Sequence, residues 1–376
     1  MLPPPAKRQR IDRIDANADV GEVGGDGNGN GDGSAQGAST KPFRSEAYEA
    51  ALLAHSDKPL PFCSAPPNYA TGLFLAPMVR IGTLPTRLLS LRHGADLVWG
   101  PEIVDRAIMA TSRTVHARTG LIDYLNPDGR SVFSTHPVER SRLIFQLGSA
   151  TPAQAYEAIR IISDDVAGVD LNCGCPKPFS THGGMGANLL TTPDILCDVL
   201  RAMRLAAPPH VALTCKIRLL PTDQDTVALV RRIVRLGIVN AITVHCRTKE
   251  MRPREAALTH RFRVVADAIR DESAGSVPVV VNGDCWSAED EAKFTQMTGE
   301  LFPCLQGSSF LIDNCSPSPP GATSMMLARG PELNPSVFRR QGRLSVTDIV
   351  APQYARYVSF HLSFLAAALF ASYATC

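Results

Sequence analysis

Eight short apolar runs of this sequence lead into residues that can bind or polarise a ligand. GLFLAP (72–77) brings in Pro77, Met78 and Val79, ADLVWG (95–100) precedes Glu102, and LIFQLG (143–148) contains Gln146. AGVDLN (167–172) ends in Asn172, VALTCKI (211–217) carries Lys216 with Arg218 just beyond, and AITVH (241–245) ends in His245. VPVVVNG (277–283) ends in Asn282 and Gly283, and SMMLARG (324–330) ends in Ala328, Arg329 and Gly330. Cations, amides and a carboxyl in one recurring place are the groups that orient a ligand by charge and hydrogen bonds. One lysine after an apolar run means little, whereas seven or eight coincident polar endings need a structural cause. The last two endings join glycine, which lets the backbone approach closely, to a guanidinium, and so suit a phosphate. Cys175 stands in Asn172-Cys173-Gly174-Cys175-Pro176-Lys177. Taken alone, that thiol reads equally well as packing in a strand-to-helix turn.

Runs that are apolar on both faces are strands of a parallel sheet. Helical stretches such as PAQAYEAIRIISDD (152–165) and TVALVRRIVRLG (226–237) lie between them, the second stopping at Gly237 as a helix does. Eight strands alternating with helices predict an α/β fold, a (β/α)8 TIM barrel. An open doubly wound sheet is the other possibility, but no GxGxxG follows the first run. In a barrel all the C-terminal strand ends share one rim, and phosphate sites follow the seventh and eighth strands. The glycine-rich stretch 183–186 reads as a mobile loop over a substrate, since no Lys-Ser or Lys-Thr follows to make it a phosphate cradle.

The 376 residues suit one barrel of about 250 with appendages. A net charge of +2 announces no nucleic acid globally, so an RNA-binding surface must be a local patch. Ten cysteines without a CxxC pair argue against a zinc site and for reduced intracellular thiols, so no metal is expected. The opening MLPPPAKRQR lacks the apolar core of a secretory signal. A cytoplasmic monomer is expected, and Lys7, Arg8 and Arg10 read either as a nuclear-import signal or as a plain basic tail. Residues 1–45 form a low-complexity tail expected to be disordered, 46–70 a linker and 71–342 the barrel. An atypical insertion spans 300–320. A helical segment begins over 343–357, and an atypical apolar tail covers 358–376.

The stretches LAPMVRIGTLPTRLL (75–89), DLNCGCPKPFSTHGGMGANLL (170–190), TCKIR (214–218), VHCR (244–247) and VNGD (281–284) together resemble the dihydrouridine synthase family. The resemblance is nearest to the eukaryotic type that acts on uridine 20 of the tRNA D loop. It implies a flavin mononucleotide (FMN) cofactor, NADPH or NADH as reductant, and tRNA as partner. It makes Cys175 the general acid that protonates C5 of a uracil while the flavin delivers hydride to C6. An ordinary thiol pKa of about 8.5 keeps such a donor protonated at neutral pH. Asn172, Lys177 and Arg218 would meet the base. Lys216 would approach the flavin pyrimidine edge, where a cation stabilises the reduced ring. Pro77, Met78, Val79, Glu102, Gln146 and His245 would complete the flavin site. Asn282, Gly283, Asp284, Ala328, Arg329 and Gly330 would serve its phosphate end. Cys173 is read as packing.

Two segments depart from that pattern. GELFPCLQGSSFLIDNCSPSPPG (299–321) interrupts the last helix-to-strand step, and VSFHLSFLAAALFASYATC (358–376) replaces the helical domain with which the family grips tRNA. Both are expected to be translated intron sequence. The tail is only just long enough for a bilayer span, and a membrane anchor is the lesser reading. Two other functions stay open: an impaired, truncated form that only binds flavin or RNA, and an FMN barrel acting on a free pyrimidine.

Overall fold

The computed structural model describes residues 43–298 and 324–359. Its strands are β1 (Leu73–Leu75), β2 (Leu97–Val104), β3 (Ser112–Val115), β4 (Ile122–Leu125), β5 (Ser131–Thr135) and β6 (Leu143–Gly148). They continue as β7 (Gly168–Cys173), β8 (Ala212–Arg218), β9 (Ala241–His245), β10 (Val279–Asn282) and β11 (Met325–Leu327). Eight of them close a parallel barrel in the order β1-β11-β10-β9-β8-β7-β6-β2. Each of the eight apolar runs supplies one barrel strand, so the expected (β/α)8 architecture is what forms.

Two apolar layers hold it together. One is a cluster of Phe74, Trp99, Ile144, Ala212, Ala241, Val280 and Met326, from every barrel strand except β7, with Tyr69 packed edge-on against Phe74 and Trp99. The other lies between the strands and the outer helices, including Pro152–Ile162, Pro193–Ala206, Asp223–Val234 and Phe262–Glu272. The helix expected over 226–237 starts at Asp223 instead, because Thr222 caps it by accepting from the Asp225 amide at 3.1 Å.

Register places the polar endings side by side. Glu102 pairs with Gln146, Gln146 with Asp170, Asn172 with Lys216, and His245 with both Arg218 and Asn282. Between Trp99 and Glu102, β2 takes three steps against two on β6. This bulge carries β2 past the apolar run and brings Glu102 to the pocket.

Three features differ from or add to the sequence reading. First, β3, β4 and β5 form an antiparallel sheet inserted between barrel strands β2 and β6. Arg87 anchors it, donating to both carboxyl oxygens of the buried Glu139 (3.0 and 2.7 Å) and to the carbonyls of Gly82 and Ser134. A buried pair is tolerable only when its remaining donors are satisfied in this way. Second, the expected linker 46–70 contains a helix, Glu46–Ala54, capped by Ser45 and docked by ring contact between Tyr48 and Tyr156. Third, the expected helical start over 343–357 is present as a π-helical turn, Val346–Val350, continuing as helix to 359, with Gln353 hydrogen-bonded to His93 at 3.0 Å. The tail before residue 43, the insertion 300–320 and the tail beyond 359 lie outside the described residues.

Candidate active site

The strand ends surround a pocket of about 770 Å³, within the range of roughly 300–1,000 Å³ usual for small-ligand sites. Pro77, Val79, Glu102, Gln146, Asn172, Cys175, Lys177, Lys216, Arg218, His245, Asn282 and Ala328 line it. Gly283, Asp284 and Arg329 line an adjoining recess of about 160 Å³. Two expected residues are not among the lining. Met78 packs down on the apolar core, and Gly330 is buried where any side chain would collide with the Trp286 backbone. Glycine at 330 is thus explained by chain packing.

The loop carrying Cys175 is pinned from several sides. Asn172 Oδ1 accepts from the amides of Gly174 and Cys175, each at 2.9 Å, a side-chain turn that caps the strand end. Arg218 Nε donates to the Gly174 carbonyl at 2.7 Å and Nη1 to that of Thr248 at 2.9 Å. From below, the Ala187 amide donates to the Cys175 carbonyl at 2.9 Å. Gly186, at φ +59°, makes this possible, because a Cβ there would meet the Cys175 backbone and Ser180. At Gly186 the glycine-rich stretch therefore folds against the cysteine loop.

On this side of the pocket burial raises the acids. Burial, then the neighbouring Glu102 charge, pushes the Cys175 thiol up to about 11. Burial likewise raises Glu102. A hydrogen-bond chain runs from Asn172 Nδ2 to Gln146 (3.1 Å), from Gln146 Nε2 to Asp170 (2.8 Å), and from Thr214 Oγ1 to Asp170 (2.6 Å). Asp170 is fully buried, and desolvation moves it up to about 6.

The facing side is cationic. Lys216 Nζ donates to Asn282 Oδ1 at 2.9 Å, and Asn282 Nδ2 donates to the Met326 carbonyl at 2.7 Å. Burial, then repulsion from Arg218, brings Lys216 down to about 8. Burial and the cations Lys216 and Arg218 hold His245 well below its usual value, so its ring is neutral. Arg247 Nη1 lies 3.3 Å from His245 Nε2. A guanidinium can only donate, so Nε2 accepts and the ring proton sits on Nδ1. Asp284 accepts from Arg247 at 2.6 Å, from Arg329, and from the Ala257 amide at 2.7 Å. Arg329 stacks 4.4 Å over Trp286. Asp284 thus aims two guanidiniums along the recess.

Several pocket residues were not singled out from the sequence. Arg247 lies in VHCR beside His245 and lines the recess, and beneath the pocket the fully buried Asp170 is a carboxylate inside an apolar run, bonded to Gln146 and Thr214. Arg80, at φ +69°, and the exposed Phe179 lie on the rim. Among the described residues no group of three or more His, Cys, Asp or Glu is placed to hold a metal, and no helix is long and apolar enough to cross a membrane.

This arrangement pairs a protonated thiol with a buried lysine across a cavity that ends in an arginine-lined recess. A sequence profile of the family described as Dihydrouridine synthase (Dus) matches residues 74–300, which include most of those side chains. The chain belongs to the dihydrouridine synthase family. It is 44% identical over 284 residues to a tRNA-dihydrouridine(20) synthase of Schizosaccharomyces pombe, covering 74% of this chain. It is 41% identical over 282 residues to the Saccharomyces cerevisiae protein of that name, covering 70% of this chain and 72% of that one. A tRNA-dihydrouridine(20a/20b) synthase of Saccharomyces cerevisiae is 30% identical over 223 residues, 59% of this chain and 56% of that one. The chain spans 54% of the fission yeast relative's length.

Proposed function

We propose that this chain reduces uridine to 5,6-dihydrouridine in tRNA, at position 20 of the D loop, with FMN as cofactor and NADPH or NADH as reductant. The observation that carries the reading is a thiol kept protonated, facing a desolvated lysine over one pocket. The residues present fit a flavin. Gly283, at φ +116°, lines the recess with bare backbone, to which a ligand can approach closely. Lys216 is desolvated, with the neutral Asn282 amide as its hydrogen-bond acceptor, and an electron-rich ring edge would favour its charged form. Arg247 and Arg329, already oriented by Asp284, suit a phosphate. When bound, the flavin would supply the hydride to C6.

The chain's own residues do the rest. Asn172 and Arg218 hold the Cys175 loop so that its thiol can hand a proton to C5. The raised thiol pKa keeps that proton in place at neutral pH. Lys216 and the neutral ring of His245 offer donors toward the pocket. Lys177, exposed at the rim, is placed to meet an RNA phosphate or the base.

The test is to purify the chain, record its visible spectrum, and count dihydrouridine in tRNA from a strain lacking the matching enzyme. Yellow protein that releases FMN on heating and restores dihydrouridine 20 supports the reading. A colourless protein that FMN cannot reconstitute overturns the cofactor. A yellow protein that reduces free pyrimidines but leaves tRNA untouched overturns the substrate.

A further inference from the structure

Asp170 is fully buried and does not line the pocket. It stands on β7, the one barrel strand that gives no side chain to the cluster around Phe74 and Trp99. In register it lies between Gln146 on β6 and Thr214 on β8. Both neighbours donate to it, Gln146 Nε2 to Oδ2 at 2.8 Å and Thr214 Oγ1 to Oδ1 at 2.6 Å. Burial raises its pKa to about 6, against those two bonds and the Lys216 charge, so the group is ionised at neutral pH. A charge in this place is costly, and the base-reduction chemistry above does not use it.

We propose that Asp170 is a positioning residue for Cys175, fixing which way round the amides of Gln146 and Asn172 stand. An amide has an acceptor at one end and donors at the other, so it fits a hydrogen-bond chain in either sense. An ionised carboxylate only accepts. Gln146 must therefore turn Nε2 to Asp170, which leaves Oε1 for Asn172 Nδ2 at 3.1 Å. Asn172 then has its oxygen free on the far side, where Oδ1 accepts from the Gly174 and Cys175 amides at 2.9 Å each. In the reversed order Gln146 Oε1 would face the carboxylate, and at the other end the Asn172 NH2 would face two backbone N–H groups. Both mismatches would sit in a desolvated site, where unmade hydrogen bonds cost most. A single buried charge thus sets the sense of the chain that ends at the thiol's loop. The same order limits what Asn172 can offer a ligand. Its oxygen has both lone pairs engaged, so only an N–H is left, which suits a carbonyl oxygen of the base. That last step rests on the base-reduction reading, whereas the hold on the loop does not.

The test is hydrogen–deuterium exchange at the Gly174 and Cys175 amides, read by fragmentation mass spectrometry on the full chain at pH 8, above the Asp170 pKa. Asp170→Asn keeps the size of the side chain but can present either end to Gln146, so it no longer bars the reversed order. Exchange at the two amides should rise about 3–10-fold, the worth of one hydrogen bond, with exchange in the helix Asp223–Val234 unchanged. The turnover rate of base reduction should fall by a similar factor, about 3–10-fold, with KM for tRNA unchanged. Thr214→Val is the structural control, because it takes a donor from the same carboxyl and leaves the sense of the chain alone. Both variants should melt at lower temperature, but only Asp170→Asn should speed the two amides. Gln146→Met cuts the chain, so it should speed them as well, and adding Asp170→Asn should then change nothing further. Wild-type exchange in Asp170→Asn, equal acceleration in Thr214→Val, or additive effects of Asp170→Asn and Gln146→Met would each overturn the proposal. If Asp170→Asn does not fold, Gln146→Met decides alone, and wild-type exchange at the two amides overturns it. If the wild type makes no dihydrouridine, the functional reading fails, and the exchange rates still decide the role of Asp170.

Discussion

The two halves of the barrel rim meet the same physical force and answer it in opposite ways. On the arc from β2 through β6 to β7, Glu102, Asp170 and Cys175 are acids, and burial makes each hold its proton more tightly. Asp170 moves up to about 6 and the Cys175 thiol up to about 11. On the arc from β8 to β11 the titratable groups facing the pocket are bases, and burial makes them shed protons. Lys216 falls to about 8, and His245 is neutral. Desolvation therefore tightens the hold on protons along one wall and loosens it along the other. A pocket built this way is ready to give a proton and to accept an anion, the two demands of reducing a polarised double bond with an external hydride.

Cys175→Ala should break the acid wall alone, and it carries the largest expected effect. Base reduction should slow by roughly 10²–10⁴-fold, while FMN content and the rate of flavin reduction by NADPH stay close to wild type. Stopped-flow measurement of the two half-reactions checks this. Equal losses in both would make the thiol a structural element of the loop.

Lys216→Ala breaks the opposite wall. Its Nζ has Asn282 as partner, and a charge-assisted bond of this sort contributes about 1.5–3 kcal/mol, so FMN should bind about 10–100-fold more weakly. The sign of the pH effect follows from the depressed pKa. Lys216 is charged below about pH 8 and neutral above it. FMN titrations of the apoprotein should therefore weaken, and take up a proton on binding, as pH rises through 8. Lys216→Ala should flatten that dependence.

Much of this contrast was legible before the fold was known, because strand ends in a parallel barrel are visible as polar residues closing apolar runs. Lys216, His245 and Asn282 were found that way, and register then brought them together, whereas Cys175 stood out only through the family resemblance. The sheet β3–β5 was not legible. Its strand residues at 112–115 are all exposed, so they lack the apolar signal that marks a buried strand, and a ladder of antiparallel hydrogen bonds defines them. The placement of Glu102 beside Cys175 depends on the bulge in β2, which shifts it one place out of the simple alternation. Asn172 was expected to face the base, yet its amide closes the turn under Cys175 and bonds Gln146. A type and a position in sequence identify a strand-end amide, but only neighbours decide which way its two ends are used. Gly330 taught the same lesson, since glycine next to a phosphate-suited arginine is equally the mark of a close backbone crossing.

Arg329→Ala sharpens the comparison inside the cationic wall. Arg329 is partly exposed, stacked on Trp286 and tied to Asp284, whereas Arg247 is nearly fully buried behind it. Exposed charges are screened, so the loss should be modest, about three- to tenfold in FMN affinity, and smaller in high salt. Isothermal titration at two ionic strengths checks it. A loss as large as that of Lys216→Ala, independent of salt, would place the phosphate contact on Arg329 itself.

Cys173→Ala should have the smallest effect on chemistry, and it is the cleanest control for the acid wall. The two thiols are separated by a single glycine and look alike in the sequence. Cys173 ends β7 fully buried among the apolar side chains between barrel and helices, its Sγ–H directed at the Leu171 carbonyl at 3.7 Å. Burial puts its pKa well above 9, so it is no nucleophile, and nothing opens it to the pocket. Cys175 lies past the turn, partly exposed, with Glu102 and Ser180 against it. Removing the buried sulfur leaves a small cavity, so thermal unfolding should show a loss on the order of 1 kcal/mol. Both half-reactions should stay within about twofold of wild type, because a positioned acid owes its effect to contact with the reacting atom and Cys173 has none. Loss of base reduction comparable to that of Cys175→Ala, in a variant that still melts cooperatively, would mean that the proton comes from the strand end and not from the loop.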